Sequence, residues 1–227
     1  MYTASRIAGM IDHTLLKPYA AKEDFTQLCK EARDNGFAMV AINSAPVNLC
    51  KKLLADCPVH VGAAISFLLG QTTLAVKYFD TEDALKNGAD EIDYVVNLTR
   101  VKAGDFDYIE QEMRAIVGIC RQYNAICKVI FENCFLTKEE ILVLCAVAKK
   151  VEPDFVKTST GFGSGGATVE DVWLMKSAVG DKVKVKAAGG IRTLESCLAM
   201  IEAGAERIGT SSGLAILRQL AEQKENT

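Results

Sequence analysis

The stretch Asp154-Phe-Val-Lys-Thr-Ser-Thr-Gly-Phe-Gly-Ser-Gly-Gly-Ala-Thr168 carries the grammar of the whole chain. Residues 155–160 start apolar and end polar, as a buried strand does. A glycine-rich loop follows, and Thr168 supplies a hydroxyl suited to open the next helix by accepting a first-turn N–H. Downstream the pattern recurs at 183–189, with Thr193 opening a helix, and again at 207–212. Upstream, residues 11–16, 39–44, 59–66, 91–97 and 126–132 read the same way, which makes eight predicted strands. Several are near-continuous apolar runs, the signature of strands buried on both faces in a parallel sheet.

The intervening segments have helical periodicity. Residues 21–35 stop at Gly36, and residues 105–123 form a long amphipathic stretch. Residues 137–150 open with Thr137-Lys-Glu-Glu140, a capping box. The expected fold is α/β: a single (β/α)8 TIM barrel over residues 1–227, with a short helix near residues 3–10 capping its bottom. A chain of 227 residues suits one such barrel. A doubly wound open sheet is the other arrangement of the same alternation. No Pro-, Gly- or Ser-rich linker marks a domain boundary.

Composition narrows the function classes. With 49% hydrophobic residues and a net charge of −3, the chain has no general attraction to nucleic acid or anionic membrane. Its eight cysteines include no C-x-x-C pair and sit mostly among apolar residues. They read as reduced buried thiols of a cytoplasmic protein. His13 and His60 are too isolated for a zinc site, so no metal is expected. The first residues lack a basic region followed by a long apolar run, and no apolar stretch approaches the length of a membrane span.

Barrel enzymes place their chemistry at the C-terminal strand ends. Lys157, Lys186 and Asp93 each interrupt an apolar run there. A strand lysine is ordinarily an outward or end-of-strand residue, but two lysines and an aspartate in core strands suggest a site. Lys184 shares a face with Lys186, and spacing alone does not say which is nearer the top. A lysine amine attacks a carbonyl only when neutral; desolvation and a neighbouring cation both favour that state. Lys157 or Lys186 could be the nucleophile and the other its cation, with Asp93 able to move protons. Glycine-rich loops follow the strands at 155–160, 183–189 and 207–212. Their exposed N–H groups and the helix N-termini beyond them suit a phosphate. None fits a nucleotide-binding fingerprint, so no cofactor is expected.

These segments resemble the deoxyribose-phosphate aldolases over nearly the whole chain. The resemblance rests on Ile11-Asp-His-Thr-Leu-Leu-Lys-Pro18, Glu91-Ile-Asp93, Lys128-Val-Ile130, the Lys157 segment, Val185-Lys-Ala-Ala-Gly-Gly-Ile-Arg-Thr193 and Arg207-Ile-Gly-Thr-Ser-Ser-Gly213. It implies that Lys157 forms a Schiff base, Lys186 perturbs it, and Asp93 works with Lys186 in proton transfer. It further implies that Gly161, Gly189, Gly190, Gly209, Ser211 and Ser212 hold a phosphate, while Asp12 and Thr160 line the pocket. The implied reaction is reversible cleavage of 2-deoxy-D-ribose 5-phosphate, without metal or cofactor, in a cytoplasmic homo-oligomer. This chain departs from the family's pattern at Ser66-Phe-Leu-Leu-Gly70, where Leu68 replaces a proline and is expected to loosen the loop. Ala188 stands where many members have serine. The sequence ends Gln-Lys-Glu-Asn-Thr227, without the tyrosine some members carry there.

Helical projection also places Val143, Ala146 and Val147 outward on one helix, with Trp173 and Leu174 at the side of the next. Such a patch is expected to form a subunit contact. The alternative function follows from it: an aldolase-derived barrel, its surface altered, acting as a self-assembling scaffold.

Overall fold

A computed structural model describes residues 2–225; Met1 and residues 226–227 lie outside it. Eight strands alternate with helices: β1 Ile11–Leu15, β2 Met39–Asn43, β3 His60–Ile65, β4 Glu91–Val95, β5 Ile126–Ile130, β6 Phe155–Lys157, β7 Lys184–Ala188 and β8 Arg207–Thr210. The helices are α1 Ala4–Ala8, α2 Lys22–Asn35, α3 Val47–Leu53, α4 Leu74–Lys86, α5 Leu98–Lys102, α6 Phe106–Gln122, α7 Lys138–Val151, α8 Val169–Val179, α9 Leu194–Glu202 and α10 Gly213–Glu225. Every strand pairs in parallel with its sequence neighbours, and β8 closes on β1. The alternation therefore resolves as a closed (β/α)8 barrel, not an open sheet.

Local chemistry sets the helix ends. Gly36 takes φ +66° and donates its N–H back to Ala32 and Arg33, a left-handed stop that costs glycine little. At α7, Thr137 Oγ1 accepts the Glu140 N–H (3.2 Å) and Glu140 accepts the Thr137 N–H (2.7 Å), completing the capping box. Thr168 and Thr193 cap α8 and α9. Helix α1 buries Ile7 and Ala8 and packs against α10.

The outward patch differs from its projection. Val143, Ala146 and Trp173 are exposed, but Val147 is buried and Leu174 is half-buried against the core. The reason is packing on two sides: α7 lies against both α6 and α8, so its buried arc is wider than a single stripe. Among the described residues, no helix is long and apolar enough to cross a membrane.

Candidate active site

Alternate strand residues point into the barrel. Strands β6 and β7 align Phe155 with Lys184 and Lys157 with Lys186, so the two pairs form successive levels. Lys184 is exposed at the end where β7 begins, whereas Lys186 is buried near the middle. On β4, Asp93 lies level with Lys128 of β5. Strands β2 and β3 line the same space with Ala41, Ile42, Gly62, Ala63 and Ala64, most of them small residues. This asymmetry leaves a cavity of about 560 Å³ lined by Lys157, Lys186, Asp93, Phe67 and Thr160, among others.

One carboxylate organises the lysines. Asp93 Oδ2 accepts from Lys157 Nζ at 2.8 Å and from Lys186 Nζ at 2.6 Å. Its other oxygen, Oδ1, accepts from Lys128 Nζ at 2.6 Å. Burial alone would raise the Asp93 pKa, but the charges of Lys128, Lys157 and Lys186 outweigh it and hold the carboxyl well below its ordinary value. For Lys157, burial is the largest influence and lowers the pKa. Asp93 opposes it, Lys186 adds to it, and the amine settles at about 8. Lys157 Nζ also lies 5.2 Å from the Phe67 ring centroid.

Lys186 reaches this level because β8 is slim. A Cβ on Gly209 would lie 3.2 Å from Lys186 Cε and 2.8 Å from Ala188 Cβ. Asp12, expected on the pocket wall, lies beneath it: fully buried, it pairs with Lys186 Nζ and Arg207 Nη1, each at 2.5 Å. Thr160 does line the cavity, its hydroxyl donating to Glu132, whose carboxylate also accepts the Thr160 N–H at 3.2 Å. Glu132 sits at φ +48°, an unusual conformation for a non-glycine residue, which turns its side chain onto the loop after β6.

Gly161, Gly189, Gly190, Gly209 and Ser211 line the cavity, joined by Arg192. Gly161 and Gly189 take φ +92° and +90°, and a Cβ on Gly166 would lie 2.3 Å from the Gly189 carbonyl oxygen. The two loops are thus stacked backbone on backbone, held by the Ala167 N–H donating to Ala188 and Gly189 carbonyls. Ser212 stands aside from the lining, its N–H donating to Thr210 Oγ1 at 2.9 Å. The loop carrying Leu68 is tied by the Gly70 N–H to Ser66 O (2.9 Å) and by the Ser66 and Thr72 hydroxyls (2.7 Å).

Sequence reasoning did not place Lys128, Glu91, Arg207 or Phe67 in the site. Lys128 breaks an apolar strand as Lys157 does, so its signal was present. Glu91 and Arg207 open their strands and look like ordinary strand-edge charges, and Phe67 lies in an irregular loop. Among the described residues there is no group of three or more His, Cys, Asp and Glu side chains able to hold a metal.

Fold and site define a (β/α)8 barrel in which buried lysines and one shared carboxylate open on a cavity within the strands. Within that class, the chain belongs to the DeoC/LacD family aldolases, whose model matches residues 6–219. It is 56% identical over 219 residues to a deoxyribose-phosphate aldolase of Lactobacillus acidophilus, covering 96% of this chain and 92% of that one. A putative deoxyribose-phosphate aldolase from Coccidioides immitis superposes with TM-score 0.93 at 38% identity, over 97% of this chain and 87% of the other. The deoxyribose phosphate aldolase of Aeropyrum pernix, described as a tetramer, superposes at 0.90 with 31% identity, over 97% and 93% of the two chains.

Proposed function

We propose that the chain catalyses reversible cleavage of 2-deoxy-D-ribose 5-phosphate to acetaldehyde and D-glyceraldehyde 3-phosphate, with Lys157 as the Schiff-base lysine. The observation that carries this reading is the Lys157 amine, which is buried, opens on the cavity, is held at about 8 and shares a carboxylate oxygen with Lys186. The names of the relatives support the substrate class.

The neutral amine attacks the C1 aldehyde of the open-chain sugar. The carbinolamine loses its hydroxyl as water, taking a proton from Lys186, and an iminium forms. Loss of the C3 hydroxyl proton breaks the C2–C3 bond and releases D-glyceraldehyde 3-phosphate. The electron pair passes into the iminium, giving an enamine. Protonation at C2 and addition of water then release acetaldehyde and return the free amine. Asp93, a carboxylate in contact with both lysines, accepts and returns protons through Lys186. Gly161, Gly189, Gly190, Gly209 and Ser211, all on the cavity wall, are read as holding the phosphate, with Arg192 beside them supplying charge; Ser212, off the wall in this structure, would have to turn toward it to take part. Association into a homo-oligomer belongs to the same reading, supported by the tetrameric relative.

Incubation with acetaldehyde and borohydride tests it by mass spectrometry, alongside an assay for acetaldehyde released from the sugar phosphate. A mass increase at Lys157, lost in Lys157→Ala, is expected. A folded protein that acquires no adduct there overturns the proposal.

A further inference from the structure

Lys128 is fully buried at the centre of the barrel, and the reaction outlined above gives it no step. Its ammonium touches Asp93 Oδ1 at 2.6 Å, pairs with Glu91 Oε2, and lies 3.9 Å from Asp12 Oδ2 and 3.4 Å from Met39 Sδ. The surroundings form a closed set of charges. Asp12, Glu91 and Asp93 are the anions; Lys128, Lys157, Lys186 and Arg207 are the cations. Among these buried groups, leaving out His60, which pairs with Glu91 from the solvent-exposed rim, three anions face four possible cations, so one unit of positive charge is in excess when all four are protonated. An uncompensated charge in a low-dielectric interior is costly, and the cluster relieves it by releasing one proton.

The proton comes off where the amine has least support. Arg207 does not deprotonate in proteins. Lys128 contacts two carboxylates, and Lys186 bridges Asp93 and Asp12. Lys157 has one carboxylate oxygen, already shared with Lys186. We propose that Lys128 is a positioning residue for the reaction: it clamps Asp93 through the oxygen facing away from Lys157 and supplies the fixed positive charge that makes the cluster neutral when Lys157 is the free amine. The charges around Lys128 and Lys157 come from β1 (Asp12), β4 (Glu91, Asp93), β7 (Lys186) and β8 (Arg207). Half-buried His60 on β3 is bonded to Glu91 at 2.7 Å, Lys184 lies at the lower rim, and Glu132 is engaged with Thr160.

This inference rests on the reading of Lys157 as the Schiff-base lysine, and the test separates the two. The rate of acetaldehyde trapping at Lys157 is followed against pH with cyanoborohydride in excess, in wild type, Lys128→Met, Lys128→Arg and Glu91→Gln. Wild type that traps nothing overturns the Schiff-base reading itself. Given trapping, removal of the Lys128 charge is expected to raise the midpoint by about one pH unit, roughly tenfold slower trapping near neutrality. Lys128→Arg keeps the wild-type midpoint. Glu91→Gln, which removes an anion, moves the midpoint down. A folded Lys128→Met variant with a lower rate but an unmoved midpoint has lost structure only, and overturns the proposal. Should Lys128→Met not fold, Glu91→Gln decides: a midpoint unmoved or shifted upward overturns it.

Discussion

An amine that attacks a carbonyl must be unprotonated, and a free lysine at neutral pH almost never is. Burial of Lys157 in a barrel lumen changes this, because the low-dielectric surroundings disfavour the ammonium while Asp93 keeps the group anchored. With the amine at about 8, on the order of one molecule in ten is competent near neutrality, against roughly one in several thousand for an unperturbed lysine. With Lys157 in its proposed role the sign follows: the neutral fraction grows as pH rises, so activity is expected to be limited on the acid side. Initial rates of sugar phosphate cleavage are expected to climb roughly tenfold per unit below pH 8 and level off above it. A rate independent of pH between 6 and 8 would show that some other group, or a step after imine formation, sets the turnover.

At the scale of elements, the site depends on how closely the loops after β6 and β7 approach. Gly166 lies against the Gly189 carbonyl, and the neighbouring Ala167 N–H is bonded to that same strand end. Gly166→Ala puts a methyl 2.3 Å from that oxygen, so one loop must move. Overpacking of this kind costs about 1–3 kcal/mol. The loops carry Gly161, Gly189 and Gly190, and their separation is expected to raise KM for the phosphorylated sugar about tenfold, on the order of 1.4 kcal/mol. Acetaldehyde has no phosphate, so its trapping at Lys157 should change little. Equal loss in both measurements would point to damage at the lysine and not at the phosphate end.

The whole molecule adds a requirement: the helical layer must hold β4, which carries Asp93. Lys77 of α4, fully buried, donates to the Val95 carbonyl (2.6 Å) and to Glu112 of α6 (2.7 Å). The other Glu112 oxygen accepts the Asn97 N–H at 3.2 Å. Burial lowers the Lys77 pKa and raises that of Glu112, so desolvation is the dominant cost at this junction. Lys77→Met strands the carboxyl, and removal of one partner from a buried pair typically costs about 3–5 kcal/mol. Urea denaturation should show a loss of this order, and Lys77→Met with Glu112→Met should recover most of it. A double variant no more stable than the single one would mean that the pair's role lies in packing, not charge.

The sequence by itself determined the eight strands, the helix caps at Thr137, Thr168 and Thr193, the stop at Gly36, and the lysines that interrupt core strands. These depend on periodicity and on sterics within a few residues. Predicted strands ran long at their C-terminal ends: β6 stops at Lys157 where the pattern continued to residue 160. Those polar residues leave the regular ladder to serve the site, the Thr160 N–H turning to Glu132. Only the tertiary structure decided that Asp12 lies under the cavity, that Lys128 and Glu91 join the charge cluster, and that Val147 is buried. A period of two tells which residues share a face. Height in the lumen and the partner across it depend on the register at which eight strands close, and a helix's buried arc depends on the helices beside it. Both are properties of the closed barrel that no single segment contains.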